Sequence, residues 1–449
     1  MSFSNEASNS RVLSEDKLVK KQSTWKDITR RRLDVIIFGA TGCAGRFTVR
    51  EAVRALKSYS WGVAGRNKQK MRDLLQDIGI QSRKNLSKIP IAVANLKQKR
   101  SLYKLARKCR VLINCVGPYE SYSENVVKAC ILAKTHYIDL CIESHFMDYI
   151  HYKFDKLAKK RGVYVIMSCG LQSLPADVGI NYMRNHFNGT INSIDAYMEF
   201  WTNKPWVFGS IMNVWASFIL GNSNMRRFRR KLLPKMNPVA PCRSIINEPN
   251  VVQGFGIPAP TVDEDIVDRT QLYFLEEKDL RPIQYHNYIV FSNPAIALLL
   301  VCWYYIILIF SQLSWTRRLL LKCPRIFSFG LFSFGPNEDN ADEIFFQITF
   351  KAEGWDQSTK LIRNTFADSP NKVVVGSVSG TCPFYGVASV CLLVGAITIL
   401  NEHSKLPHRG GVYTPGAAFE KTKIIKELQK YEHGLYFEIL STNRVDKSC

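Results

Sequence analysis

Val35 to Phe47 reads VIIFGATGCAGRF. Val35 to Phe38 are all strand formers, and they run straight into glycines at 39, 42 and 45. Beyond the glycines, Phe47, Val49, Val53 and Leu56 fall at helical spacing. The pattern is a buried strand, a tight turn and a helix. Gly39 permits the turn, Gly42 lets backbone N–H groups approach a pyrophosphate, and Gly45 lets the helix pack close to the strand. A phosphate then sits at the helix N-terminus, where unpaired N–H groups and the helix dipole favour an anion. Gly39, Ala40, Thr41, Gly42 and Gly45 are therefore read as a dinucleotide cradle. The spacing is G-x-x-G-x-x-G, as in extended short-chain-type folds, and not G-x-G-x-x-G.

The next segments keep the same rhythm. A second strand, WGVAGRN (Trp61 to Asn67), begins about 20 residues after the glycines, where an NAD-specific chain places an acidic residue for the ribose hydroxyl. Here Gly65, Arg66, Asn67 and Lys68 stand there instead. A guanidinium pairs with a 2′-phosphate and stacks on adenine, so Arg66 and Asn67 favour NADP over NAD; the alternative for Arg66 is a surface arginine in a turn. IPIAVAN (Ile89 to Asn95) supplies a third strand, with Asn95 beside the adenine, and RVLINCVGPY (Arg110 to Tyr119) a fourth. THYIDLCIE (Thr135 to Glu143) and GVYVIMSCG (Gly162 to Gly170) are the fifth and sixth. Strands alternating with helices predict an α/β fold, a Rossmann-type doubly wound parallel sheet. Ligands of such sheets lie beyond the strands' carboxyl ends, which puts Asn114 and Gly117 beside the nicotinamide.

The chain has 449 residues, enough for roughly two to three domains. Its 12 cysteines include no C-x-x-C pair and no zinc-ligand spacing, which fits reduced thiols in a cytosol-facing protein. Residues 1–32 are polar, carry no apolar run of signal-peptide length and read as a disordered tail. Asn188-Gly189-Thr190 is then a chance glycosylation sequon. The formal charge of +23 points to an anionic partner. The densest basic cluster is Arg226, Arg227, Arg229, Arg230 and Lys231, with smaller ones at Lys17 to Lys21 and Arg30 to Arg32. None is interleaved with aromatics as a base-stacking platform is, so nucleic acid is set aside. The remaining readings are a phospholipid surface and a merely solvated basic face.

Between Pro282 and Thr316 there is no Asp, Glu, Lys or Arg, and Ile289 to Phe310 reads IVFSNPAIALLLVCWYYIILIF. A bilayer-crossing helix needs roughly 20 apolar residues. Trp303, Tyr304 and Tyr305 lie inside the run and Pro294 near its start, so a plain single span does not follow. Glu276, Glu277 and Asp279 precede the run while Arg317, Arg318, Lys322 and Arg325 follow it, which would place its C-terminal flank on the cytosolic side of an ordinary span. The alternative is a buried helix of a large domain.

Taken together, FGATGCAGRF, WGVAGRN, INCVGPY, YIDLCIE, SCGLQSLPADVG and GGVYTPGAAF resemble the saccharopine dehydrogenase-like oxidoreductases, over nearly all of Leu33 to Ile439. The resemblance implies a dinucleotide-binding domain at 33–176 and a second α+β domain at 177–400 carrying an apolar membrane segment, 288–314. It also implies a C-terminal segment, 401–449, that packs back on the first domain, and localisation to lipid droplets or other cytosol-facing membranes such as the endoplasmic reticulum or the mitochondrial outer surface. If Gly410 to Phe419 rejoins the first domain, both flanks of the apolar run lie on one side of the membrane. A re-entrant hairpin or in-plane helix then replaces a crossing, aided by IFSFGLFSFG (Ile326 to Gly335). The chain departs from the family pattern at Ile142, where a glycine is usual, at Gln172, where a carboxylate is usual, and in the blurred glycine-rich segment Lys204 to Asn213. An amide cannot act as a general base.

Tyr119, Asp139, Glu143 and Ser173 are the candidate catalytic residues, with Asp177 as an orienter or helix cap; Tyr119 packing under the Pro118 turn and Asp139 capping a helix are the structural alternatives. Cys115 and Cys169 read as small apolar residues. Two functions are carried forward. One is a membrane- or lipid-droplet-associated oxidoreductase using NADP(H) on an apolar, lipid-like small molecule; the other is a non-catalytic droplet protein with a retained nucleotide-binding scaffold. No metal site is expected, and a homodimer is compatible with either.

Overall fold

A strand apolar on both faces needs cover on both, and Leu33–Phe38 (β1) is such a strand: Val35 to Phe38 are at most 1% exposed. It is flanked by parallel neighbours on either side. In this computed structural model, which describes residues 32–202, 215, 219, 233–234, 238–240, 244–330, 332, 343–357 and 369–444, the chain forms two sheets. The basic clusters at 17–21 and 226–231, the segment 204–213 and residues 1–31 lie outside the described residues.

From β1 the chain continues through Cys43–Ala55 (α1), Trp61–Gly65 (β2), Lys68–Ser82 (α2), Ile91–Val93 (β3), Lys99–Ala106 (α3), Cys109–Asn114 (β4), Tyr119–Ala133 (α4), His136–Asp139 (β5), Ser144–Arg161 (α5) and Tyr164–Ile166 (β6). Leu174–Phe187 (α6) then leads into Thr190–Trp201 (β7), Phe255–Pro258 (β8), Asp263–Lys278 (α7), Gln284–Phe291 (β9), Pro294–Gln312 (α8), Ser314–Lys322 (α9), Pro324–Phe327 (α10), Phe345–Trp355 (β10) and Lys372–Thr381 (β11). A π-turn, Pro383–Val387, opens Ala388–Asn401 (α11), followed by Gly411–Tyr413 (β12), Pro415–Phe419 (α12), Ile424–Leu428 (α13) and Tyr436–Arg444 (β13).

The first sheet is wholly parallel, in the order β12-β6-β5-β4-β1-β2-β3. Strand order reverses between β1 and β4, so the crevice above that pair is the ligand site of the fold. The second sheet, β13-β11-β10-β7-β9-β8, is mixed: β7 and β9 run parallel and the other pairs antiparallel. The C-terminal segment divides between the two, β12 extending the first sheet beyond β6 and β13 pairing with β11 of the second.

Among the described residues two helices are long and apolar enough to cross a membrane, and they have opposite surroundings. The segment Pro383–Asn401, with mean hydropathy 2.0, is 89% buried: it is core, packed between the sheets and against α1, where Thr48 and Ser389 hydroxyls meet at 3.3 Å. Pro294–Gln312, with mean hydropathy 2.2, is only 17% buried. The sequence run thus splits, since Ile289 to Phe291 end β9 and the helix starts at Pro294, with the Asn293 side chain accepting from Ala295 N at 2.8 Å. The excursion leaves the second sheet after Phe291 and rejoins it at Phe345. Both points lie level with Trp201 of β7, because Met198 pairs with Ile289 and Trp201 with Phe345. A segment rooted twice at one end of one sheet does not end on the far side of a membrane.

Where α6, α7 and α12 meet, Asp177 is fully buried and accepts from Gly416 N at 2.6 Å. Burial pushes its carboxyl up to about 7, with Asp263 nearby adding to the rise, while hydrogen bonds from Thr270, Gly416 and Thr414 oppose it. The folded chain keeps a proton that the unfolded chain releases near the ordinary value of 3.8. The associated stability is full below about pH 4 and is lost as pH rises through about 7. Asp177→Asn, which keeps an acceptor for Gly416, is therefore expected to flatten the fall in stability between pH 5 and 8 by about 1–3 kcal/mol. Thermal unfolding across that range checks it, and equal slopes in the two proteins would refute it.

Candidate functional site

The turn after β1 is built so that only glycine fits its close approaches. Gly39 has φ +86°, and a Cβ there would lie 2.6 Å from Val116 Cγ2. A Cβ on Gly45 would lie 2.1 Å from the carbonyl oxygen of Gly39, so α1 rests directly on the turn. Ala40 is fully buried beneath, its N–H and that of Gly39 both donating to Ala64 O of β2. Gly42 is the N-cap of α1 and has no side chain to cap with, and the first turn of the helix holds no acidic residue. Such a helix end, open toward solvent, suits an anion.

A cleft of about 820 Å³ opens above β1 and β4. Gly39, Thr41, Gly42 and the first residues of α1 form its floor, and Gly65, Arg66, Asn67 and Lys70 its β2 side. Asn67 spends its side chain on capping α2, accepting from Lys70 N at 3.1 Å. Arg66 and Lys70 are exposed, and no carboxylate is among the described lining residues. A doubly charged phosphate would find two cations here and no repulsion. Asn95 does not reach the cleft: it is exposed, its side chain accepts from Lys97 N at 3.0 Å, and its neighbour Leu96 lines the wall instead.

The other end of the cleft gathers Cys115, Val116, Gly117, Tyr119, Leu140, Ile142, Leu171 and Gln172. Ile142 and Gln172, two of the three departures from the family pattern read in the sequence, thus face the same space. Asn114 lies just below it, fully buried, its amide donating to Ser123 Oγ and Tyr137 OH, both at 2.9 Å, and accepting from Val116 N at 3.2 Å. It shapes the β4–α4 turn and offers nothing to a ligand.

Of the four candidate catalytic residues, Tyr119 alone lines the cleft. Its hydroxyl donates to Asn114 O at 3.2 Å and accepts from Leu140 N at 3.3 Å, and burial raises its pKa. Asp139 is fully buried under the strand ends: one oxygen accepts from Cys141 N and Ser168 N at 3.0 and 2.9 Å, the other from Tyr137 OH at 2.8 Å. Burial pushes it up to about 6 against those three donors. Glu143 accepts from Tyr119 N at 2.9 Å and from Glu120 N, so it caps the start of α4 across the crossover. Ser173 donates to Ser168 O and Gly170 O. These three side chains satisfy backbone groups and hold the loops at the carboxyl ends of β4, β5 and β6.

Sequence reasoning missed the far wall, which comes from the C-terminal half: Phe384, Tyr385 and Ala388. Tyr385 stacks on Phe47 of α1 at 4.4 Å between ring centroids. An aromatic pair after a strand is an ordinary core pattern, and only the topology brings this one to the nucleotide helix.

Residues 35–166 match the family model of the saccharopine dehydrogenase NADP binding domain. The saccharopine dehydrogenase-like oxidoreductase of Homo sapiens is 33% identical over 432 residues, covering 93% of this chain and 99% of that protein. The lipid droplet localized protein of Caenorhabditis elegans is 31% identical over 425 residues, covering 91% and 99%. Among solved structures, apo saccharopine dehydrogenase (L-Glu forming) from Saccharomyces cerevisiae is similar with a TM-score of 0.50 at 15% identity, covering 91% of this chain and all of that one. That likeness concerns the fold. NADP is the cofactor that this domain match supports.

Proposed function

The chain belongs to the saccharopine dehydrogenase-like oxidoreductase family, and from that premise we propose that it is a membrane- or lipid-droplet-associated oxidoreductase using NADP(H) on a neutral, lipid-like substrate. The observation that carries this reading is the distribution of charge in the cleft. Arg66 and Lys70 are the only charged side chains among its described lining residues, and both belong to the β2 side. A dicarboxylate or an amino acid would meet no counter-charge beside Val116, Leu140, Ile142 and Leu171, whereas a neutral apolar molecule loses nothing by binding there.

When bound, the dinucleotide supplies or accepts the hydride. The chain's own part is placement. Gly42 and α1 hold the pyrophosphate, Ile142 and Phe384 keep water from the reacting end, and Gln172 offers a neutral amide donor to a substrate oxygen. Tyr119 has its hydroxyl engaged by backbone, and burial pushes the Cys115 thiol up to about 12, so neither is a ready proton source. That arrangement also supports a second reading, a droplet protein whose cleft holds nucleotide without turnover. The exposed α8 and the droplet-localised relative support the membrane part of both.

Calorimetric titration of the detergent-solubilised protein with NADPH and NADH tests the reading. NADPH is expected to bind more tightly, and the double substitution of Arg66→Ala with Lys70→Ala to weaken it about 10- to 100-fold while leaving NADH unchanged. Equal affinities in the wild-type protein would sink the cofactor assignment. NADPH binding without oxidation by any neutral long-chain carbonyl compound would select the second reading.

A further inference from the structure

The π-turn Pro383–Val387 joins the second sheet to the nucleotide cleft. Turns of this kind occur mostly as single insertions, often at functional sites. Here Cys382 takes φ +53°, its sulfur accepts from Gly386 N at 3.2 Å, and the widened turn presents Phe384 and Tyr385 to the cleft. The turn is clamped from behind, because a Cβ on Gly386 would lie 2.6 Å from His433 Cγ. Phe384 in turn stacks on Phe200 of β7, with ring centroids 5.9 Å apart and planes inclined by 17°. Phe200 is half-buried, and it sits at the end of the sheet from which α8 departs, since β7 and β9 run parallel and β9 ends at Phe291. From β11, which feeds the π-turn, to β9, which feeds α8, is three strand spacings, about 14 Å. Phe384 and Phe200 therefore form an aromatic wall that leads from the uncharged end of the cleft to β7, the strand beside β9.

We propose that this wall is the binding site for the hydrocarbon chain of the substrate, which passes from the lipid surface over Phe200 and Phe384 and brings a neutral polar head to Tyr385 and Gln172. The proposal rests on the oxidoreductase reading above and specifies its substrate as a single long alkyl chain with an uncharged head. Flat aromatic faces suit such a chain, since they offer contact area without asking for a hydrogen bond. The absence of charge among Ile142, Leu171 and Phe384 selects the head group as the pyrophosphate cradle selects the cofactor.

The test uses the full chain bound to a phosphatidylcholine–triolein emulsion with NADPH and, as probe, hexadecanol carrying a mid-chain diazirine and a terminal alkyne. After irradiation the labelled peptides are mapped. Label is expected on the peptides holding Phe200 and Phe384–Tyr385, and a diazirine-bearing butanol is expected to leave them unlabelled. Phe384→Asp should lower their labelling about tenfold, with labelling of Pro294–Gln312 unchanged, whereas Phe384→Leu should retain it. The wild-type map stands even if Phe384→Asp does not fold. Label confined to Pro294–Gln312, with NADPH still bound, would overturn the passage and leave the oxidoreductase reading in place. Failure of the wild-type protein to bind NADPH would instead remove that reading and the proposal with it.

Discussion

Gly45→Ala is expected to abolish NADPH binding and to lower folding stability by about 2–4 kcal/mol. The added carbon would stand 2.1 Å from Gly39 O, 2.8 Å from Gly39 C and 2.9 Å from Ala40 Cα. All three are backbone atoms, so no side chain can rotate away, and α1 must lift from the turn by roughly 1 Å to restore an ordinary contact. The turn cannot yield instead. Gly39 is held by its own positive φ and by Val116, while the Gly39 and Ala40 amides are tied to Ala64 O. Moving α1 also moves Thr48 and Phe47 away from Ser389 and Tyr385, so the loss spreads into the C-terminal half. Gly42→Asp separates the two effects. A Cβ there comes no closer than 3.2 Å to Gly39 O, and an acidic residue at a helix N-cap is favourable, yet its charge occupies the pyrophosphate position. Binding should disappear while stability holds. Chemical unfolding and NADPH titration of both variants check this, and a Gly45→Ala protein that keeps its affinity would show that the helix does not need to seat on the turn.

The first sheet was legible in the sequence because its signals are local. Val35 to Phe38 need cover on both faces, the glycine spacing fixes the turn, and Arg66 stands where an acid would otherwise be. Roles that depend on distant partners were not legible. Asp139 and Glu143 look like catalytic carboxylates because a polar residue at a strand end either faces the ligand or satisfies a loop, and only the fold decides. Here Asp139 holds the Cys141 and Ser168 amides and Glu143 holds those of Tyr119 and Glu120. Asn114 is the same case, its amide absorbed by Ser123 and Tyr137. The far wall escaped for another reason: Phe384 and Tyr385 are some 340 residues from the glycine turn they face, and nothing near them reports that distance. Hydropathy carries the same limit, since α8 and α11 score alike and differ in what the topology places around them.

That difference gives the second large effect. Replacing Leu299, Ile306 and Ile309 together by Ser should release the protein from a triolein–phosphatidylcholine emulsion while leaving its NADPH affinity unchanged. The three are 68%, 50% and 66% exposed and fall on one side of α8. Each large aliphatic side chain transferred to lipid contributes about 1.5–3 kcal/mol when fully covered. With partial coverage the three together supply about 3–6 kcal/mol, or on the order of 10²–10⁴ in partitioning. The basic residues after the helix, Arg317, Arg318, Lys322 and Arg325, add attraction to anionic headgroups of roughly 1 kcal/mol each near the surface, a share that high salt removes. The aliphatic share survives salt, so binding of the wild-type protein at high ionic strength should isolate the contribution of α8. Leu393→Ser in α11 is the counterpart. It alters an equally apolar helix at a fully buried position, and should cost about 2–5 kcal/mol of stability without acting on emulsion binding directly. Flotation of the triple variant through a density gradient decides the matter: if it rises with the emulsion as the wild type does, the exposed face of α8 serves some partner other than lipid.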